Sequence, residues 1–310
     1  MPAPSPQLSI AICTYNRSEL LRLTVESLLA ASRGRPAVEL LIVDNHSTDA
    51  TAATVADLQA AHPDDRILYV FEAAQGLSHA RNRAFREAAA DWVFYLDDDA
   101  LSDPGLVDRL LELVADGTYP VVGGRYLPWY HFGRPAWFRD RYGSYTLNYR
   151  ELTPIQWPDF ATGGVMLWRK DLLEELGGFD PAIGMSGGTI AYGEETALQH
   201  RARERGYTIA YDPALLIHHV VMPYKLQVGW YFTAAFALGR DLVREGRIGV
   251  GVGPAIGQLC LGLAVATKDL LLYTPRLLVG DYYLENWLID VWRKLDKRVG
   301  AAYTALLHDR

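Results

Sequence analysis

The stretch Trp92-Val93-Phe94-Tyr95-Leu96-Asp97-Asp98-Asp99-Ala100 decides the reading of this chain. An apolar, aromatic run with the length and residue types of a buried strand ends abruptly in three consecutive carboxylates. Adjacent carboxylates repel one another, so the cluster needs a positive partner, and a divalent cation that takes oxygen ligands is the natural one. In open α/β sheets ligands gather beyond the carboxyl ends of the strands, where this cluster would lie. The plain alternative is a solvated acidic turn into a helix, with Asp103 as cap and Pro104 at its first position. That accounts for Asp103 but not for Asp97 to Asp99.

Upstream, the same alternation repeats. Residues 8–13, 38–43 and 67–71 read as buried strands. Between them helices are expected over 18–31, capped by Ser18 and striped with Leu21, Val25, Leu28 and Leu29, and over 50–61 and 78–90. Downstream, a helix over 104–115 leads to a short strand at Val121-Val122. Residues 160–169 return as a strand in which Gly163-Gly164 permits close backbone approach. A glycine-rich loop from Phe179 reaches Gly193, and Glu194-Glu195 opens a helix that Gly206 stops. Residues 208–211 and 214–218 read as a pair of short strands. The alternation predicts an α/β chain with a mostly parallel sheet covered by helices on both faces. No G-x-G-x-x-G follows the first strand, so the dinucleotide fingerprint is absent. The aromatic-rich stretch from Tyr126 to Phe160 either stacks on sugar faces or packs a loop-rich subdomain.

The 310 residues are half hydrophobic, ample for a core, and carry 30 basic against 37 acidic side chains. A net charge of −7 argues against a general nucleic-acid binder. Cys13 and Cys260 are the only cysteines, which suits a reducing cytoplasm and offers no disulfide framework or cysteine-based zinc site. Residues 1–7 are proline-rich and lack a signal-peptide pattern. From about residue 223 the chain reads as helical, first over 226–244. Residues 248–267 hold no charge and match one membrane-helix length, yet contain Pro254 and five glycines. They read as a buried or interfacial helix rather than a span. The flanking Arg240, Arg244, Arg247, Lys268 and Arg276 suit an anionic membrane surface or are ordinary solvated charges.

Several motifs occur in a set order: Cys13-Thr14-Tyr15-Asn16-Arg17, Val43 to Asp49, Gly76 to Asn82, Asp97-Asp98-Asp99, Gly177-Gly178-Phe179-Asp180, Gly193-Glu194-Glu195 and His218. Together they resemble the family 2 glycosyltransferases over roughly residues 8–221. The resemblance implies the GT-A (Rossmann-like) fold of the nucleotide-diphospho-sugar transferases, with a C-terminal helical extension. It divides the chain into a catalytic domain over 1–222, its nucleotide-sugar half about 1–124 and its acceptor half about 125–222, and a helical region over 223–310. By the same resemblance Thr14, Tyr15 and Arg17 line the nucleobase pocket, and Asp44 accepts a hydrogen bond from the base. Gly76, Arg81 and Asn82 close over the nucleotide. Asp97 and Asp99 are the ends of a D-x-D motif, Asp99 chiefly a metal ligand and Asp97 near ribose and metal, with Asp98 between them. Glu195 is the general base, a glutamate where aspartate is commoner, and Glu194 orients acceptor or base. His218 completes the metal or diphosphate site, while His219 is structural.

The implied reaction is inverting transfer of a sugar from a nucleotide-diphospho-sugar, with a UDP-sugar favoured. The acceptor is a hydroxyl of a glycan or lipid-linked molecule, in polysaccharide or glycoconjugate biosynthesis, and the metal is Mg²⁺ or Mn²⁺. A sugar-1-phosphate nucleotidyltransferase is the rival enzyme, but its glycine-rich basic loop is missing after the first strand. A degenerate transferase that only binds glycan is the non-enzymatic alternative. The expected location is cytoplasmic, at the inner face of the membrane if the C-terminal helices make peripheral contact. Those helices otherwise serve self-association or cover the acceptor site.

Overall fold

The structure, a computed structural model, describes residues 5–33, 35, 37–187 and 190–307. Residues 1–4 of the proline-rich N-terminal stretch, and Gly188 and Thr189 of the glycine-rich loop, lie outside the described residues.

Four strands, β1 (Leu8–Thr14), β2 (Val38–Asp44), β3 (Ile67–Phe71) and β4 (Trp92–Asp97), run parallel in the spatial order β3-β2-β1-β4. The central ones are near-continuous apolar runs because both faces of the sheet are covered. Successive side chains alternate between the faces. Ile10, Ile12, Leu40, Ile42, Phe94 and Leu96 join a core with α1 (Ser18–Ser32), α2 (Thr51–Ala61) and α4 (Leu106–Asp116). Ala11, Leu41, Val43, Val93 and Tyr95 join a second core with α3 (Leu77–Glu87), α5 (Lys170–Glu175) and α6 (Glu194–Glu204).

Beyond β4 the sheet becomes mixed. Strand β8 (Val165–Arg169) pairs antiparallel with β4 and with β6 (Val121–Trp129), and β9 (Ile209–Val220) pairs parallel with β6. Strands β5 (Ala100–Ser102) and β7 (Thr153–Ile155) add antiparallel to β9. The two short strands expected at 208–211 and 214–218 are one strand with an irregularity. Pairing with β6 jumps from Gly123–Tyr211 to Arg125–Leu216, so Asp212 to Leu215 bulge out of register. Only glycine fits opposite the bulge: a Cβ on Gly124 would stand 2.3 Å from the Leu215 carbonyl oxygen. The strand expected from residue 160 begins at Val165, because Gly163-Gly164 is spent on a turn.

By contact, the chain forms two compact units. The first holds Met1–Trp129, Gly143–Ala182 and Glu194–Val220, and the second Tyr130–Tyr142, Ile183–Gly193 and Val221–Arg310. In the second, α9 (Leu284–Leu307) packs against both α7 (Val228–Arg244) and α8 (Val252–Tyr273). Glycines allow the α7–α9 crossing: a Cβ on Gly239 would lie 1.8 Å from the Lys297 carbonyl oxygen, and one on Gly300 2.2 Å from that of Phe236. Part of the aromatic stretch builds this unit's core, where Phe138, Trp137 and Tyr142 pack with Tyr231 and Ile289.

Candidate active site

The acidic turn at the end of β4 is clamped from two sides. Thr24 Oγ1, on α1, donates to the Asp98 carbonyl at 2.9 Å and accepts from the Ala100 amide at 3.2 Å. The Val220 amide, at the end of β9, donates to the Asp99 carbonyl at 2.8 Å. Asp98 is buried toward α1, where Thr14 Oγ1 donates to it at 2.7 Å and Arg17 Nη1 at 2.9 Å. Burial pushes the Asp98 carboxyl up to about 6, against the pull of Arg17 and with the Asp99 charge adding to the rise. Asp99 is divided between two partners: Arg17 Nη1 lies 2.9 Å from Oδ2, and His219 Nε2 lies 3.1 Å from Oδ1. Arg17 therefore supplies part of the positive charge that the acidic cluster needs.

Asp97, Asp99 and His219 present one ligand atom each, all within 4.8 Å of one another. Two carboxylate oxygens and an imidazole nitrogen suit a divalent ion of the Mn²⁺ or Mg²⁺ type. The imidazole in this group is His219, not His218 as the sequence led us to expect. Neighbouring residues on a strand face opposite ways, so an offset of one residue exchanges the ligand. His218 pairs in register with Leu101, and the His219 ring stands 5.2 Å from that of Tyr126.

The Gly163-Gly164 turn explains how Asp97 and Arg81 come together. A Cβ on Gly164 would lie 2.1 Å from Asp97 Oδ2, and one on Gly163 2.6 Å from Arg81 Nη2. Arg81, buried on α3, donates through Nη2 to the Gly163 carbonyl at 3.1 Å and through Nη1 to Glu194 Oε1 at 2.6 Å. Its Nη2 also lies 4.0 Å from Asp97 Oδ1. Burial works against the Arg81 charge, but Glu194 first and then Asp97 outweigh it and hold the guanidinium above its ordinary value. Arg81 is thus a buried bridge from the acidic turn to the start of α6. Beside it, Glu195 is half-buried. Burial, reinforced by the Glu194 charge and opposed by Arg81, pushes the Glu195 carboxyl up to about 8. A proton affinity near ambient pH is the range in which a general base works best.

The residues expected around the nucleobase gather at the carboxyl ends of β1 and β2, where Thr14 and Asp44 are paired in register. Both Asp44 oxygens are engaged: Tyr69 Oη donates to one at 2.7 Å and the Ser47 amide to the other at 2.8 Å. Tyr15 is half-buried. Arg17 is turned onto Asp98 and Asp99. The Gly76 amide donates to Asn45 Oδ1 at 2.8 Å, and its φ of 139° starts α3 in a conformation that favours glycine. Asn82 is spent on a turn: its Nδ2 donates to the Phe179 carbonyl at 2.7 Å and its Oδ1 accepts from the Phe179 amide at 2.8 Å. Asp49, which the sequence placed at the end of a motif without a role, joins two helices. It accepts from the Ser18 amide at 3.0 Å and from the Thr51 amide at 3.0 Å, so one carboxylate serves the N-termini of α1 and α2. Asn16, with φ of 54°, accepts from the Thr48 amide at 2.7 Å and ties the same two loops. Asn16 in the first loop, and Asn45 and Asp49 in the second, were the available signal.

A doubly covered sheet with an acidic turn, a buried arginine bridge and a carboxylate pair beyond its strand ends is the arrangement expected of a glycosyltransferase of the GT-A fold. Residues 9–177 match the family model described as Glycosyl transferase family 2, and the chain belongs to that family. It is 28% identical over 246 residues to the succinoglycan biosynthesis protein ExoM of Rhizobium meliloti (strain 1021), covering 77% of this chain and 75% of that protein. It is 24% identical over 243 residues to the glucosyl-dolichyl phosphate glucuronosyltransferase of Haloferax volcanii, covering 75% of each. Among solved structures, the mannosyltransferase PcManGT from Pyrobaculum calidifontis, in complex with GDP-Man and Mn²⁺, superposes with a TM-score of 0.64 at 22% identity, over 100% of this chain and 89% of that one. The fold is GT-A with C-terminal helices.

Proposed function

We propose that this protein is an inverting glycosyltransferase that moves a sugar from a nucleoside-diphospho-sugar, preferably a UDP-sugar, to a hydroxyl of a lipid-linked or glycan acceptor. The observation that carries the reading is the group of Asp97, Asp99 and His219 at the strand ends, linked by the buried Arg81–Glu194 pair to the start of α6, where Glu195 follows. The raised proton affinity of Glu195 agrees with it. In this reading Glu195 takes the acceptor hydroxyl proton, and the acceptor oxygen attacks the anomeric carbon. The bond from that carbon to the diphosphate breaks, and the nucleoside diphosphate leaves from the opposite face with the electron pair. Asp97, Asp99 and His219 would hold the divalent cation, which when bound neutralises charge on the diphosphate. Thr14, Tyr15 and Asp44 form the floor for the base, and Arg17, paired with Asp98 and Asp99, stands at its edge to meet the diphosphate. Glu194 positions Glu195 through Arg81.

A lipid-linked acceptor is supported by the Haloferax relative, whose name specifies a dolichyl phosphate, and a role in polysaccharide synthesis by the Rhizobium relative. Action at the cytoplasmic face of a membrane is part of the same proposal. The test is release of nucleoside diphosphate from a panel of sugar nucleotides with Mn²⁺, with Mg²⁺ and with EDTA. Release is expected only with a divalent ion, and Asp99→Asn should abolish it. Full activity of Asp99→Asn, or activity in EDTA, would overturn the assignment.

A further inference from the structure

Helix α8 has two unlike stripes. Ala255, Gly262, Ala266 and Asp269 are buried in the second unit, where α9 packs, and Lys294 of α9 pairs with Asp269 at 2.8 Å. On the adjoining stripe Val252, Ile256, Leu259 and Leu263 are exposed. The apolar surface continues through Leu271 and the turn that follows, where Leu278 is 90% exposed. By length and composition Val252–Leu278 could cross a membrane. Crossing would carry the Asp269–Lys294 pair and the charged α9 into hydrocarbon, which is costly. A helix with one apolar stripe and one committed to a charged neighbour belongs in the membrane interface.

Where this surface ends, Arg139, Arg141, Arg276, Val279, Asp281 and Tyr282 line a cavity of about 360 Å³. Arg141 is paired with Asp290. Arg139 and Arg276 have no carboxylate partner among the described residues. The Arg139 guanidinium stands 5.6 Å from the centre of the Tyr282 ring, and that of Arg276 5.0 Å from the Tyr273 ring. Those two rings are themselves stacked, 6.5 Å apart and inclined by 15°. One Arg139 nitrogen bonds the Asp281 carbonyl, while its Nε is buried with no acceptor. Two guanidinium groups held on stacked tyrosines, one with an unanswered N–H, form an oxyanion site of the fork geometry that matches phosphate.

We propose that this cavity binds the phosphate of an anionic lipid headgroup while the exposed stripe of α8 and the turn at Leu278 enter the acyl boundary. The proposal rests on the membrane contact in the reading above, but not on the transfer chemistry. The chain's net charge of −7 opposes general attraction to an anionic surface, so binding must come from this local site and from insertion. The test is vesicle flotation of the whole protein with phosphatidylcholine alone, with added phosphatidic acid, and with oleate added to equal charge. Nucleoside diphosphate release is measured separately in detergent.

Wild type should prefer phosphatidic acid by about tenfold or more over the other two. Arg139→Gln should lose that preference, and so should Arg276→Gln, whose exposed side chain makes it the safer variant for folding. Both should keep the weak binding to phosphatidylcholine and the release activity. Leu263→Ser with Leu278→Ser should lose flotation on all three. Equal flotation on oleate and phosphatidic acid, an unchanged preference in Arg276→Gln, or displacement by millimolar inorganic phosphate would overturn the headgroup site. Loss of release activity in wild type would instead overturn the catalytic reading.

Discussion

Glu194 gives its carboxylate to Arg81 at 2.6 Å with both side chains buried, while Glu195 holds a raised proton affinity one residue later. These roles predict different failures. Glu194→Ala leaves the Arg81 charge buried without its partner and should cost about 3–5 kcal/mol of stability, read from urea unfolding. A loss under about 1 kcal/mol would show that the bridge is not structural. Glu195 has a folded-state value of about 8, above its ordinary value of about 4.3. Its neutral form therefore contributes stability that is complete below about pH 4 and is lost as pH rises through about 8. Glu195→Gln keeps a neutral side chain at every pH. Its Tm should equal that of wild type near pH 4 and exceed it by roughly 2 °C or more at pH 9, and parallel curves would contradict this. Three adjacent carboxylates were legible in the sequence as a cluster, but their division was not. Asp98 goes to Thr14 and Arg17, and Asp99 to Arg17 and His219, because of face alternation and a clamp from Thr24 that lies 74 residues away in sequence.

The three-residue β5 and β7 gave no pattern to read, whereas the four parallel strands and the helices between them were legible because each is a long, unbroken pattern ending in a turn signal. Strand β9 was not, because Asp212-Pro213 reads as a break and acts as a bulge. That bulge also sets which of His218 and His219 reaches the acidic turn, so the histidine could not be chosen from spacing alone. His219→Ala should weaken Mn²⁺-dependent donor binding by about tenfold or more, and His218→Ala should leave it near wild type. The reverse order would restore His218 as the ligand. The Gly163-Gly164 turn carries a similar test. Gly164→Ala puts a methyl 2.1 Å from Asp97 Oδ2, so donor binding should fall while the circular dichroism spectrum is retained. Unchanged binding would show that the turn has room to move.

At the scale of the molecule, composition spoke clearly on charge and poorly on the C-terminal helices. An uncharged run reads alike whether it is buried or exposed, because its inward stripe is alanine and glycine and its outward stripe larger aliphatic residues. The exposed stripe predicts self-association without lipid. Light scattering in detergent-free buffer should show oligomers that Ile256→Ser with Leu263→Ser converts toward monomer. A wild-type monomer at high concentration would contradict this. The central claim, that Glu195 is the base of a sugar transfer, has one direct measurement. Single-turnover transfer and donor Kd are compared in wild type, Glu195→Gln and Glu194→Gln with Mn²⁺ present. Glu195→Gln should bind donor within about threefold of wild type and transfer at least about 10²-fold more slowly. Transfer by Glu195→Gln at the wild-type rate, with collapse in Glu194→Gln, would contradict the account and move the base to Glu194.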